Sequence, residues 1–205
     1  NIDNMKTKLL MAMLLTATFS YAQQQPENLY QRNRGDLENG TLEQKDSLAN
    51  ALFNDVKNLK AEEDYRMTIN ILRTLGHEDK MEAVTKTATK KFPKGSLTRD
   101  TYITEVFYEA EGSAAKEKAY KELVKKWPVK NFPEQELTYD YVLANLAGTF
   151  AKEENPTQAI QYLEQMYERF WRGNAYLPVG QTLLDAGATV SAAPHLTAVM
   201  DDAYY

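Results

Sequence analysis

The apolar residues of this chain recur at helical rather than strand spacing. Leu48, Leu52, Val56 and Leu59 fall three or four positions apart and give 46-DSLANALFNDVKNLK-60 one apolar face. Asp64 is placed to cap the next segment, where Tyr65, Ile69, Leu72 and Leu75 repeat the pattern until Gly76 stops it. The segment 77-HEDKMEAVTKTATKKFP-93 begins acidic and ends basic before Pro93, and 113-SAAKEKAYKELVKKWP-128 closes in the same way on Pro128. No segment alternates with period two for long enough to predict a strand, so the pattern predicts an all-α fold. After Gly173 the periodicity weakens, with Pro178 and Pro194 interrupting it, and a short last helix ends on Tyr204-Tyr205. That ending is neither polar nor long enough to cap a stack of helices, which suggests the front of something larger.

The beginning of the chain is patterned differently. In 5-MKTKLLMAMLLTATFSYAQQQ-25, Lys6 and Lys8 precede an apolar run from Leu9 to Phe19, and small residues surround Ala22. A short basic region, a short apolar helix and small side chains at a cleavage point predict a secretory signal peptide over 5–22. The apolar run falls short of the roughly 20 residues that span a bilayer, so cleavage after Ala22 is expected rather than anchoring. Residues 23–41 are polar, Gln- and Asn-rich and without helical periodicity, and predict a flexible linker. Asn39-Gly40-Thr41 within it is formally a glycosylation sequon, but Asn-Gly is first a turn signal. A helical domain over 42–205 is then expected.

The endings 90-KKFP-93 and 125-KKWP-128 lie about 35 residues apart, near the period of two-helix repeats. In 140-DYVLANLAGTFAKEENPTQAIQYLEQMYERFW-171, Leu143, Leu146-Ala147, Phe150 and Ala159 stand where the tetratricopeptide repeat places its large and small residues. Leu163, Met166 and Trp171 continue the second helix. The stretch resembles that family over one full unit. Counting back from Pro128 gives Ile103, Phe107, Tyr120 and Leu123, with Lys116 where a small Ala belongs. Counting back from Pro93 gives Tyr65, Leu72 and Ala88, with Met81 and Thr85 off pattern. The resemblance implies about three antiparallel helix pairs stacked as a short solenoid, small residues letting paired helices approach. The leader ending in FSYAQ, with KKFPKG and AAKEKAYKELVKKWP, also resembles the N-terminal helical region of secreted thioredoxin-like proteins from Bacteroidetes-type bacteria. This likeness implies a place in the periplasm or outside the cell and a helical, non-catalytic role, with no redox residue to carry over.

Composition narrows the chemistry. Hydrophobic residues at 43% and charged residues at 26% suit a folded globular chain. There is no cysteine, which excludes thiol chemistry, a lipoprotein anchor and Cys-ligated metals, and leaves stability to packing. A net charge of −5 with basic and acidic residues interspersed offers no stripe for phosphates, so nucleic acid is not an expected partner. The imidazoles are His77 and His195. His77 has no second His one turn away, which argues against a metal site. His195, with Asp201 and Asp202 downstream, has no Ser or Cys in a nucleophile motif. The run 62-EED-64 reads as a solvated helix start. No catalytic residue, metal or cofactor is expected.

Binding is the remaining class. Tyr139, Tyr141, Phe150, Tyr162, Tyr167, Phe170, Trp171 and Tyr176 are dense enough for a sugar or peptide platform. Helical spacing sends most of them to the core and leaves Tyr141 and Tyr176 as the exposed pair. Tetratricopeptide repeats bind extended peptides along their first helices, and the resemblance puts Arg66, Asn70 and Arg73 on that face of the first unit. It adds Thr101, Glu105 and Tyr108 from the second unit, and Tyr141 and Lys152 from the third. Arg with Asn would hold a peptide backbone or a carboxylate, because guanidinium bonds carboxylate in a bidentate fork. The bland alternative is a solvated polar face. The expected function is an exported, non-catalytic module binding a peptide or protein partner, away from membranes once the leader is removed. The alternatives are the helical portion of a thioredoxin-like protein without its catalytic domain, and a glycan-binding helical protein.

Overall fold

A computed structural model describes residues 29–185, apart from a few side chains within them. The leader at 5–22, the start of the linker, and His195 with Asp201 and Asp202 lie outside the described residues, as does the Phe170 side chain. The described residues are helical throughout, with turns and no strand. The chain divides into two compact units that meet in sequence at Lys91 and Phe92.

The first unit holds α1 (Leu29–Asn39), α2 (Leu42–Asp55), α3 (Glu62–Thr74) and α4 (Glu78–Lys91). In place of a linker without periodicity, α1 packs on α2 and α3, where Leu37 is buried among Leu48, Leu52 and Ile71. Asn39-Gly40-Thr41 is the turn between α1 and α2. Thr41 and Gln44 form a reciprocal capping box, the Thr41 N–H donating to Gln44 Oε1 at 2.7 Å and the Gln44 N–H to Thr41 Oγ1 at 3.2 Å. Helix α3 starts two residues before the cap position expected for Asp64: Ala61 is the capping residue, and Asp64, third in the helix, reaches back to accept its N–H at 3.2 Å. The end of α3 is a glycine-ended motif: Gly76 has φ +79°, its N–H donates to Arg73 O, and the His77 N–H donates to Leu72 O. With so short a turn, α4 runs back antiparallel along α3, and Tyr65, Ile69, Leu72, Val84 and Ala88 are buried.

The second unit holds α5 (Ser96–Tyr102), continued by a π turn at Ile103–Phe107, then α6 (Gly112–Lys126), α7 (Glu136–Lys152), α8 (Pro156–Leu163) and α9 (Arg169–Asp185). Helices α5 and α6 start at the same offset from α3 and α4, Glu62 to Ser96 and Glu78 to Gly112, one residue less than the spacing of the two Pro-terminated endings. A strap of two short 3₁₀ turns, Val129–Asn131 and Pro133–Gln135, separates α6 from α7 and delays the third pair. Helices α7 and α8 pack intimately because Ala147, Ala151 and Ala159 are small and fully buried where large side chains would hold the backbones apart. Helix α9 runs through Pro178, which the weak periodicity after Gly173 did not predict. Its start is fastened by Asp140, whose buried carboxylate accepts the N–H groups of Tyr167 and Glu168 at 2.8 Å each.

Candidate functional site

Lys116 explains its own departure from the repeat pattern. Its ammonium is drawn beneath the end of the π turn and donates to Phe107 O at 3.2 Å and Tyr108 O at 3.3 Å. It also lies 4.9 Å and 5.8 Å from the centroids of the Phe107 and Tyr108 rings. A cation on the last carbonyls satisfies groups that a small residue would leave bare. Burial pushes its pKa down, Glu109 opposes that and Lys152 adds to it, so Lys152 stands within electrostatic reach.

From this point a strip can be followed along α7. Tyr141, Asn145, Gly148 and Lys152 recur at four, three and four positions and so share one helix side over about 16 Å. Asn145 and Lys152 are exposed, Tyr141 and Gly148 partly so. A Cβ added to Gly148 would meet nothing within 4 Å, so the middle of the strip is open. Tyr108 flanks it: burial raises the Tyr108 hydroxyl pKa strongly and Tyr141 adds to the rise. At the α7 N-terminal end, the Tyr141 and Trp171 rings lie 5.7 Å apart at 60°.

The sequence-predicted residues therefore divide. Tyr108, Tyr141 and Lys152 belong to this strip. Glu105 is exposed on the π turn and Thr101 donates its hydroxyl back to Leu97 O, with no geometry tying either to the strip. In the first unit, Arg73 Nη1 donates to Asn70 Oδ1 at 3.4 Å, while Arg66 lies 4.0 Å from Glu63 and keeps only 18% of its side chain exposed. These three share a side of α3, and the Arg73–Asn70 bond and the Arg66–Glu63 contact both lie along that helix. Tyr176, expected as exposed, is 8% exposed, whereas Tyr167, expected in the core, is 48% exposed. Asp140 holds the backbone at Tyr167 in the turn before α9, whereas Tyr176 lies within α9 itself. Asn145 and Gly148 are strip residues that the groove assignment missed, as it did Lys116 and Trp171 beside the strip. The eleven-residue recurrence from Tyr141 to Lys152 was the available signal for Asn145 and Gly148.

His77 bonds Asp46 at 3.1 Å through Nε2 and Lys80 at 3.3 Å through Nδ1. Among the described residues no three His, Asp or Glu side chains group as metal ligands, and no helix is long and apolar enough to cross a membrane. Comparison with protein-family models, curated proteins and solved structures finds no match for the chain.

Proposed function

We propose that the protein is an exported, non-catalytic interaction module whose tetratricopeptide-like helix pairs hold an extended peptide along α7. The observation that carries this reading is the open strip Tyr141, Asn145, Gly148 and Lys152 on one side of that helix. At about 3.3 Å per residue, its 16 Å or so accommodates about five residues of extended chain. The Asn145 amide offers a donor and an acceptor to a peptide backbone, and Lys152 offers charge at one end. Tyr141 with Trp171 offers apolar area at the other. Export rests on the pattern of 5–22.

A peptide array probed with the wild type and Gly148→Leu tests it. The Cβ space at Gly148 is empty, so the leucine fills the strip without disturbing the helix. Peptides bound by the wild type should lose at least about tenfold in affinity in Gly148→Leu, with unchanged circular dichroism. Absence of any peptide binding, or equal binding by the variant, would refute the reading. The ring pair Tyr141–Trp171 also favours a glycan, so oligosaccharide binding in place of peptide binding would substitute that second reading.

A further inference from the structure

Arg99 is 1% exposed, an unusual place for a guanidinium. It sits between two rings, with its central carbon 4.7 Å from the Phe132 centroid and 5.4 Å from that of Tyr139. Nε and Nη2 donate to Asp100 Oδ1 at 3.0 Å and 2.6 Å, and Nη2 donates also to Gln135 Oε1 at 2.5 Å. Nη1 is buried and has no acceptor. Trp127 Nε1, also buried, is the other such donor among the described residues. The Tyr139 ring covers Arg99, and its hydroxyl donates to the backbone carbonyl of Trp127 at 2.7 Å.

A buried N–H donor without an acceptor, as at Arg99 Nη1, is costly to maintain and favours any oxygen that reaches it. Charge limits which oxygen. Asp100 already neutralises Arg99, so a second carboxylate would meet repulsion, whereas a neutral carbonyl would not. The chain itself supplies an example in the Gln135 side-chain amide. Gln135 and Phe132 both belong to the strap 128–135, whose backbone bonds, Asn131 N–H to Pro128 O, Phe132 N–H to Val129 O and Gln135 N–H to Phe132 O, close within the strap itself.

We propose that Arg99 is a recognition site for a neutral amide carbonyl, such as a glutamine side chain of a bound peptide, which enters by displacing Gln135 and its strap. The strap ends where α7 begins, so the site lies at the N-terminal end of that helix on the side Tyr139 faces, and Tyr141, two positions on, faces another side. The proposal deepens the peptide-binding reading and rests on it for the biological ligand.

The test uses N-acetyl-glutamine methylamide as probe and follows the indole N–H resonance of Trp127 and the Nε–H of Arg99 by NMR. Saturable shifts of both are expected in the wild type. Gln135→Ala, which removes the competing amide, should bind the probe several-fold more tightly. The corresponding glutamate derivative should bind about tenfold more weakly than the glutamine one. Binding of the glutamine probe should change little with added salt. Arg99→Lys should abolish the shifts, and if it does not fold, the Gln135→Ala and acid-against-amide comparisons decide. No saturable shift in either wild type or Gln135→Ala, or equal binding of the acid, would overturn the proposal. Gly148→Leu should leave the probe shifts intact, so a negative peptide array with a positive probe titration would fail the strip alone, and the reverse would fail the Arg99 site alone.

Discussion

Glu153, just past the end of α7, caps the start of α6: its Oε1 accepts the Ser113 N–H at 2.8 Å and its other oxygen accepts the Ser113 hydroxyl. These bonds hold the carboxyl pKa below its ordinary value. A depressed pKa means that this contribution to stability is fully present above the ordinary carboxylate value and is lost as pH falls through the lower folded value. Glu153→Gln should therefore be less stable than the wild type at neutral pH, and the difference should close on acidification. Urea titrations at a series of pH values read it; a gap that is constant from neutral to strongly acidic pH would contradict the assignment.

Asp140 runs the other way. Burial raises its pKa, opposed by the N–H groups of Tyr167 and Glu168, while Glu168 and Glu136 add to the rise. The folded state therefore binds this proton more tightly than the unfolded state does. The Asp140 contribution grows as pH falls from the raised folded value toward the ordinary one. In Asp140→Asn only one oxygen remains to accept the two N–H groups, and the start of α9 should loosen. The stability gap between wild type and Asp140→Asn should widen on mild acidification. A gap that narrows there would show that hydrogen bonding outweighs burial.

Glu154 has φ +58°, a left-handed conformation that costs a non-glycine residue about 1–2 kcal/mol. It ends α7 with the same bonds that Gly76 makes at the end of α3, the Glu154 N–H to Ala151 O and the Asn155 N–H to Phe150 O. Glu154→Gly should stabilise the second unit by up to about 1 kcal/mol, the gain reduced by the freer unfolded chain. Thermal unfolding of the variant checks this.

Ala159 is fully buried where α8 meets α7. Ala159→Leu should overpack that contact and cost about 1–3 kcal/mol. An unchanged melting temperature would mean that the close approach of the two helices does not depend on small residues.

How much of this was legible in the sequence depended on whether the cause was local. Gly76, Pro93 and Pro128 act within one or two turns and stand at helix ends where capping rules put them, whereas Ala147 and Ala159 were placed by the repeat resemblance. Helix α1 was missed because few of its residues are apolar. Leu37 is buried by Leu48, Leu52 and Ile71, which belong to later helices. Arg99 gave no local signal either, since Gln135, Phe132 and Tyr139, which enclose it, are all more than thirty positions away. In the candidate site, Tyr108, Tyr141 and Lys152 were named from the repeat resemblance. Trp171 was not, because it lies on α9, thirty positions from the ring it meets.

The placement of Lys116 makes α6 a graded chemical probe of its own opening. Lys118, Lys121, Lys125 and Lys126 project into solvent and will acylate freely with an amine-directed reagent, whereas the Lys116 amine is enclosed and bonded to the carbonyls of Phe107 and Tyr108. Its labelling must wait for the π turn and α6 to separate. The ratio of Lys116 adduct to that of its neighbours, read by peptide mass, thus times the breathing of this part of the second unit without any mutation or added reporter.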